Sequence, residues 1–244
     1  MQTCVRSMAM FALLVLAACD DKETPTGSTP SATTATHATP PPPPPPEKPP
    51  IVFVEEGGIT VSGEKVDATG DVKGKLAAIL ASKPKVSGET IEIQAMRDVK
   101  YPRVAVTVAA VRDAKAKAAV IKTALRDGAL GELAIDLGAP AACSPVGMIA
   151  KDSAILVWPV AGGTATRYTH GMAGPDMTLG SDGMRKLGAS CDSTTFVIAG
   201  DDSVKWGLVY DLAMAAKTSP QPALAPKQTQ ASIPADPPVP GRKL

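Results

Sequence analysis

Histidine is almost missing from this sequence: His37 and His170 are the only two. Neither has a cysteine or a second histidine at metal-ligand spacing, so no zinc or other metal site is expected. Catalytic signatures are missing too. The chain has no Gly-x-Ser-x-Gly elbow, no phosphate-binding loop and no zincin helix, which leaves no motif on which to assign an enzyme or a cofactor. Asp201, Asp202 and Ser203 could form a carboxylate pair, but they stand where a polar turn feeds a helix, a place that favours acidic residues. "AGGTATRY" carries glycines without phosphate-loop spacing and reads as a turn. An excess of one charge is also absent. Net charge is +1 and the basic residues are scattered, so the electrostatic footprint of a nucleic-acid binder is not there. Finally, no apolar run is long enough to span a bilayer. Met8 to Ala18 would make about 16 Å of helix, roughly half of the hydrocarbon thickness.

What is present begins with that short run. One basic residue (Arg6), an apolar stretch and small residues before Cys19 have the shape of a cleaved secretory signal over residues 1–18. Leu16-Ala17-Ala18-Cys19 resembles the lipobox of bacterial lipoproteins, which implies that Cys19 becomes an acylated N-terminus. An ordinary signal that happens to end near a cysteine is the alternative. Several acyl chains suffice for stable anchoring, so the expected location is the cell envelope, on the periplasmic side. Asp20 beside the lipid favours the inner membrane, with the outer membrane left open.

Of the 24 prolines, 18 gather at the two ends. Residues 19–50 hold almost nothing that could be buried and are expected to be a disordered tether. Pro40 to Pro46 should form a polyproline II rod of about 22 Å. A spacer explains this composition with less than a docking motif for a proline-binding partner would. Residues 218–244 are again proline-rich and are expected to be a disordered tail. With Cys4 in the signal and Cys19 under lipid, Cys143 and Cys191 remain as an even pair in an oxidising compartment. They can bridge, or stand as two separate buried thiols.

Between these ends the pattern is that of an α+β fold. "GGITVSGEKVD" reads as a hairpin around Gly63, and Val72, Leu76, Ile79 and Leu80 recur at helical spacing from Asp71 to Pro84. Ile91 and Ile93 mark a half-buried strand. Pro102 opens a helix with Val104, Val108 and Val111 on one stripe, and "AAVIKTA" closes the unit as a strand. This is one sheet with two helices on one face. The segment "IEIQAMRDVKYPRVAVTVAAV" from Ile91 then returns as "FVIAGDDSVKWGLVYDLAMAA" from Phe196, offset by 105 residues without a gap. Val99-Lys100-Tyr101 matches Val204-Lys205-Trp206, so a duplicated module is expected. The boundaries are residues 51–127 for the first copy and 128–217 for the second. Tyr101 and Trp206 can cover the end of the sheet, the packing reading of this pattern, and they are also the candidate partner-binding residues.

The order "ITVSGEKVD", helix, "IEIQAMRDVKYPRVAVTVAAV", strand resembles the periplasmic domain of the ExbD/TolR family, with Asp98 in the polar turn and Tyr101 at the helix start. The likeness covers residues 51–125 well and 150–217 more loosely, where "SDGMRKLGAS" is a short match for the first helix. It implies a binding role in an envelope energy-transduction or biopolymer-transport system of the Ton/Tol kind. It also implies pairing of modules, here as a pseudo-dimer in one chain. The partners would be envelope proteins of such a system or peptidoglycan. Family members carry a transmembrane helix with an acidic residue on the ion path; this chain has none, and Asp20 and Asp21 at an aqueous interface cannot replace it. Ion translocation is therefore not carried over. The alternative is a stand-alone lipoprotein that holds a small ligand or peptidoglycan between its modules, near Trp158, Tyr168 and Trp206.

Overall fold

A meander opens the described part of the computed structural model, which comprises residues 47–67, 69–171, 174–218 and 227–244. The signal segment, Cys19 and all of the tether before residue 47 lie outside the described residues. Strands Ile51–Glu55 (β1), Gly58–Val61 (β2) and Glu64–Val66 (β3) pair antiparallel in succession. Ser62 and Gly63 connect β2 to β3 with φ of 47° and 87°. Two positive φ values in a two-residue loop match the twist of a hairpin, and glycine adopts its value at no steric cost. Helix Val72–Ser82 (α1) follows and buries Leu76 and Leu80. Strand Thr90–Ala95 (β4) then adds parallel to β1. Helix Tyr101–Asp113 (α2) has Pro102 in its first turn, where a missing N–H costs nothing. It returns the chain to Ala118–Ala124 (β5), parallel to β4.

Leu130–Ile135 (β6) turns back antiparallel to β5, and the first order is then repeated. Pro145–Ile149 (β7), Ile155–Pro159 (β8) and Thr166–Tyr168 (β9) make a second antiparallel meander. Met177–Gly188 (α3), Thr195–Gly200 (β10), Trp206–Lys217 (α4) and Gln230–Ser232 (β11) complete it, with β10 parallel to both β7 and β11. α1 packs on α2, and α3 on α4. Strand order across the sheet is β3-β2-β1-β4-β5-β6-β11-β10-β7-β8-β9. The sequence repeat is thus also a topological repeat, and among the described residues β6 is the one strand with no counterpart.

The first helices obey the offset as well. Asp71 Oδ1 accepts the Gly74 N–H at 2.9 Å, and Asp176 Oδ1 accepts the Leu179 N–H at 3.0 Å. Each satisfies an N–H that the helix itself leaves open. Asp71→Ala and Asp176→Ala should each lower the unfolding free energy by about 1 kcal/mol. A shift of the urea midpoint at unchanged slope checks this.

Two expectations are corrected. Residues 51–127 and 128–217 are not separate domains, because one eleven-stranded mixed sheet and one hydrophobic core run from Val52 to Ile233. Each half buries on one side what it cannot cover alone. The expected disordered tail over residues 218–244 is corrected for residues 227–244: β11 fills the slot between β6 and β10, and Ala231 within it and Ile233 just after it are fully buried.

The two halves differ on the sheet face away from their helices. In the first half, Phe53, Gln94, Lys122 and Glu132 lie in one cross-strand row and stay partly or fully exposed. Glu92 is held there by Lys122 at 2.8 Å and by the Gln94 amide at 2.6 Å, and these contacts hold its carboxyl below the usual range. In the second half, Trp158, Val146, Val197 and Ser232 form a row on the same face, Val197 standing at the offset of Glu92, and all four are buried. Residues after Ile233 cross that side: the Trp158 indole N–H donates to the Arg242 carbonyl at 3.1 Å, and the Leu244 N–H to that of Val160 at 3.1 Å.

Candidate functional site

The Val-Lys-aromatic motif of each repeat ends a strand and starts a helix, and the two motifs meet. Lys100 and Lys205 form an antiparallel bridge. The Tyr101 N–H donates to the Val204 carbonyl at 2.9 Å, and the Trp206 N–H donates to the Val99 carbonyl at 2.7 Å. Equivalent residues exchange equivalent bonds, which is the signature of a two-fold, self-complementary interface. Three strands lie between β4 and β10 in the sheet, so the sheet must curl for their ends to touch.

Each aromatic reaches into the other half. The Tyr101 hydroxyl donates to the Pro234 carbonyl just beyond β11 at 3.1 Å. The Trp206 Nε1–H donates to Thr123 Oγ1 in β5 at 2.9 Å. Both rings are fully buried, which corrects their reading as contacts for an outside partner: no surface remains on them to touch one. The approach is close enough that a Cβ at Gly207 would lie 2.9 Å from the Arg97 Cβ. Glycine there lets the backbone of α4 reach the opposite turn.

A charge clamp closes the seam. Arg97 donates to Asp211 Oδ2 at 2.7 Å and to the Ala124 carbonyl at 2.9 Å, and Arg126 Nε shares the same carboxylate oxygen at 2.7 Å. The Asp211 carboxylate raises the Arg97 pKa, so the guanidinium stays charged. Lys205 donates to Asp98 Oδ1 at 2.7 Å and holds that exposed carboxyl below its ordinary range. The last turns of the helices also grip the other end of the assembly: Arg112 Nε donates to the Leu137 carbonyl at 2.9 Å and Lys217 Nζ to that of Glu132 at 3.2 Å.

Burial dominates the phenols here. It raises Tyr101 strongly and pushes Tyr210 up to about 12. A phenol whose folded value exceeds its unfolded one contributes stability below the unfolded value, and this is lost as pH rises through the folded one. Stability should therefore fall between about pH 10 and about 12. In an ultraviolet titration, phenolate absorbance from these two residues should appear together with the loss of far-ultraviolet circular dichroism and not before it.

Cys143 and Cys191 are joined by a disulfide with Cα atoms 5.5 Å apart. It ties the entry of β7 to the segment between α3 and β10. Asp201 Oδ1 accepts the Ser203 N–H and hydroxyl at 3.2 and 3.0 Å, an arrangement that builds the turn before α4. Trp158, Tyr168 and Trp206 are not brought together. Trp206 is in the seam, Trp158 lies beneath the C-terminal segment, and the Tyr168 ring packs where a Cβ at Gly183 of α3 would be. A cavity of about 630 Å³ does lie between the halves, bounded by Arg112 of α2, Leu137 after β6, Val197 of β10 and the C-terminal segment. The sequence reading missed it because its walls come from five separated stretches, Val160 among them.

Among the described residues, no helix is long and apolar enough to cross a membrane. No protein-family model matches the chain, and neither a curated protein nor a solved structure is significantly similar to it.

Proposed function

We propose that this protein is a lipid-anchored, periplasmic binding module of the ExbD/TolR kind, in which two copies of the unit are paired within one chain. It acts as an accessory or scaffold of a Ton/Tol-like envelope system by contact, not turnover, and without an ion-conducting helix of its own. The observation that supports this most is the reciprocal exchange between Val99-Lys100-Tyr101 and Val204-Lys205-Trp206. Modules of that family work in pairs, and this seam supplies a pair without a second chain. The disulfide fits an oxidising compartment. With the seam consumed internally, the surface left for an envelope partner is the uncovered first-half row of Phe53, Gln94 and Lys122.

A photo-crosslinking residue placed at Gln94 in cells should capture an envelope protein, and Cys19→Ser should move the chain from the membrane to the soluble fraction. A folded Gln94 probe that captures nothing, or a Cys19→Ser chain that stays with the membrane, would overturn the respective half of the proposal.

A further inference from the structure

The C-terminal segment covers the second half of the sheet without joining its core. None of residues 234–244 is buried, whereas Trp158, Val146 and Val197 on the covered face all are. The large apolar side chains of the segment stay in solvent: Val239 is 56 % and Leu244 39 % exposed. The depression it leaves is bounded by core residues, Val197, Leu137 and Val160. A cover that packs so little gains little dispersion energy from its contact.

Two anchors hold the segment. At its start the Tyr101 hydroxyl donates to the Pro234 carbonyl at 3.1 Å. At its end the Gly163 N–H donates to the Gly241 carbonyl at 2.8 Å, the Trp158 indole N–H to that of Arg242 at 3.1 Å, and the Leu244 N–H to that of Val160 at 3.1 Å. Between the anchors, residues 235–240 make no backbone hydrogen bond to the rest of the chain among the described residues. Pro237, Pro238 and Pro240 have no N–H to give, and they keep the stretch extended with little freedom to lose on closing. The end clasp is close-fitting, since a Cβ at Gly241, where φ is 75°, would lie 2.6 Å from the Gly163 carbonyl oxygen. Few buried apolar contacts and a small set of terminal hydrogen bonds define an element that opens locally, well below the free energy of global unfolding.

We infer that residues 235–244 are a releasable strap, closed in this structure, that swings about Pro234 and uncovers the face bearing Trp158, Val146 and Val197. Closed, the strap is autoinhibitory, because the second half then offers no sheet face to a partner. Open, it frees the Gly163 and Trp158 N–H groups and the Val160 carbonyl beside an apolar row. These groups take an extended polypeptide segment through its backbone, as they take the strap. The first-half row of Phe53, Gln94 and Lys122 is no part of this device, so either can fail alone.

In native-state hydrogen exchange on the full chain, the Trp158 indole N–H should exchange roughly a hundredfold or more faster than the backbone amides of β10, without dependence on low denaturant. Gly241→Val breaks the clasp and leaves β11 and Pro234 in place. It should open one of the two tryptophans to acrylamide quenching while thermal unfolding stays cooperative. A synthetic peptide of residues 234–244 should bind this variant saturably, read by Trp158 emission. It should bind the unaltered chain roughly tenfold or more weakly, because the attached strap competes at high effective concentration. Deletion of residues 241–244 removes the same clasp without a new side chain and should give both results. Exchange of the Trp158 indole only together with β10, unchanged quenching in both variants, no saturable peptide binding to either, or equal peptide affinity for variants and unaltered chain would each overturn the inference.

Discussion

Trp206→Ala should lower the unfolding free energy by about 4 kcal/mol, within the range for truncating a fully buried tryptophan. The ring is 0 % exposed, packs on Tyr210 with centroids 5.8 Å apart, and gives its N–H to Thr123 in the other half. Truncation leaves a cavity and also deprives Thr123 Oγ1, itself buried, of its donor. The seam makes the consequence global. In guanidinium unfolding, circular dichroism and Trp158 emission should report one shared transition, displaced to lower denaturant. Two separated transitions in the unaltered chain would mean that the halves fold independently and that the seam does not couple them. Tyr101→Phe is the milder companion: it removes only the hydroxyl bond to Pro234 and should cost about 1 kcal/mol.

Removal of the disulfide, by Cys143→Ser with Cys191→Ser or by reduction, should cost roughly 4 kcal/mol. The bridge closes a loop with a sequence separation of 48 that holds the second meander and α3. Without it, the unfolded chain regains the freedom of that loop while the folded contacts barely change. Cys191 is 1 % exposed, so reduction of the native chain should wait on opening of the structure and speed up with mild denaturant. Comparing urea midpoints with and without reductant, and against the double serine variant, measures the effect. Equal midpoints would show that the bridge contributes nothing.

Residues 51–125 were legible because each element carries its own signal. Ile91 and Ile93 alternate with polar neighbours, Asp71 caps, Pro102 starts a helix and Gly63 turns a hairpin. The second half is buried on both faces of its sheet, so β7, β8 and β10 read as unbroken apolar runs without alternation. β11 had no local signal, being three residues in a proline-rich stretch. Its place is set by the slot between β6 and β10, a tertiary fact. One clue did exist. The first repeat ends with a strand after its second helix, and the second repeat needed the same. The fate of Tyr101 and Trp206 was illegible for a related reason: an aromatic at a turn looks alike whether it faces solvent or the other half.

The lone spacer strand has a consequence of its own. β6 runs antiparallel to β5 and parallel to β11, so the mirror-ordered flanks meet it through unlike ladders, six residue pairs on one side and one on the other. A true two-chain pair would have to keep both members identical. Here the odd strand gives each flank its own neighbour, and a substitution in one is never forced upon its twin. That freedom allows a division of labour, one flank keeping a wet face and the other a dry one, which no symmetric assembly of a single repeated unit could reach.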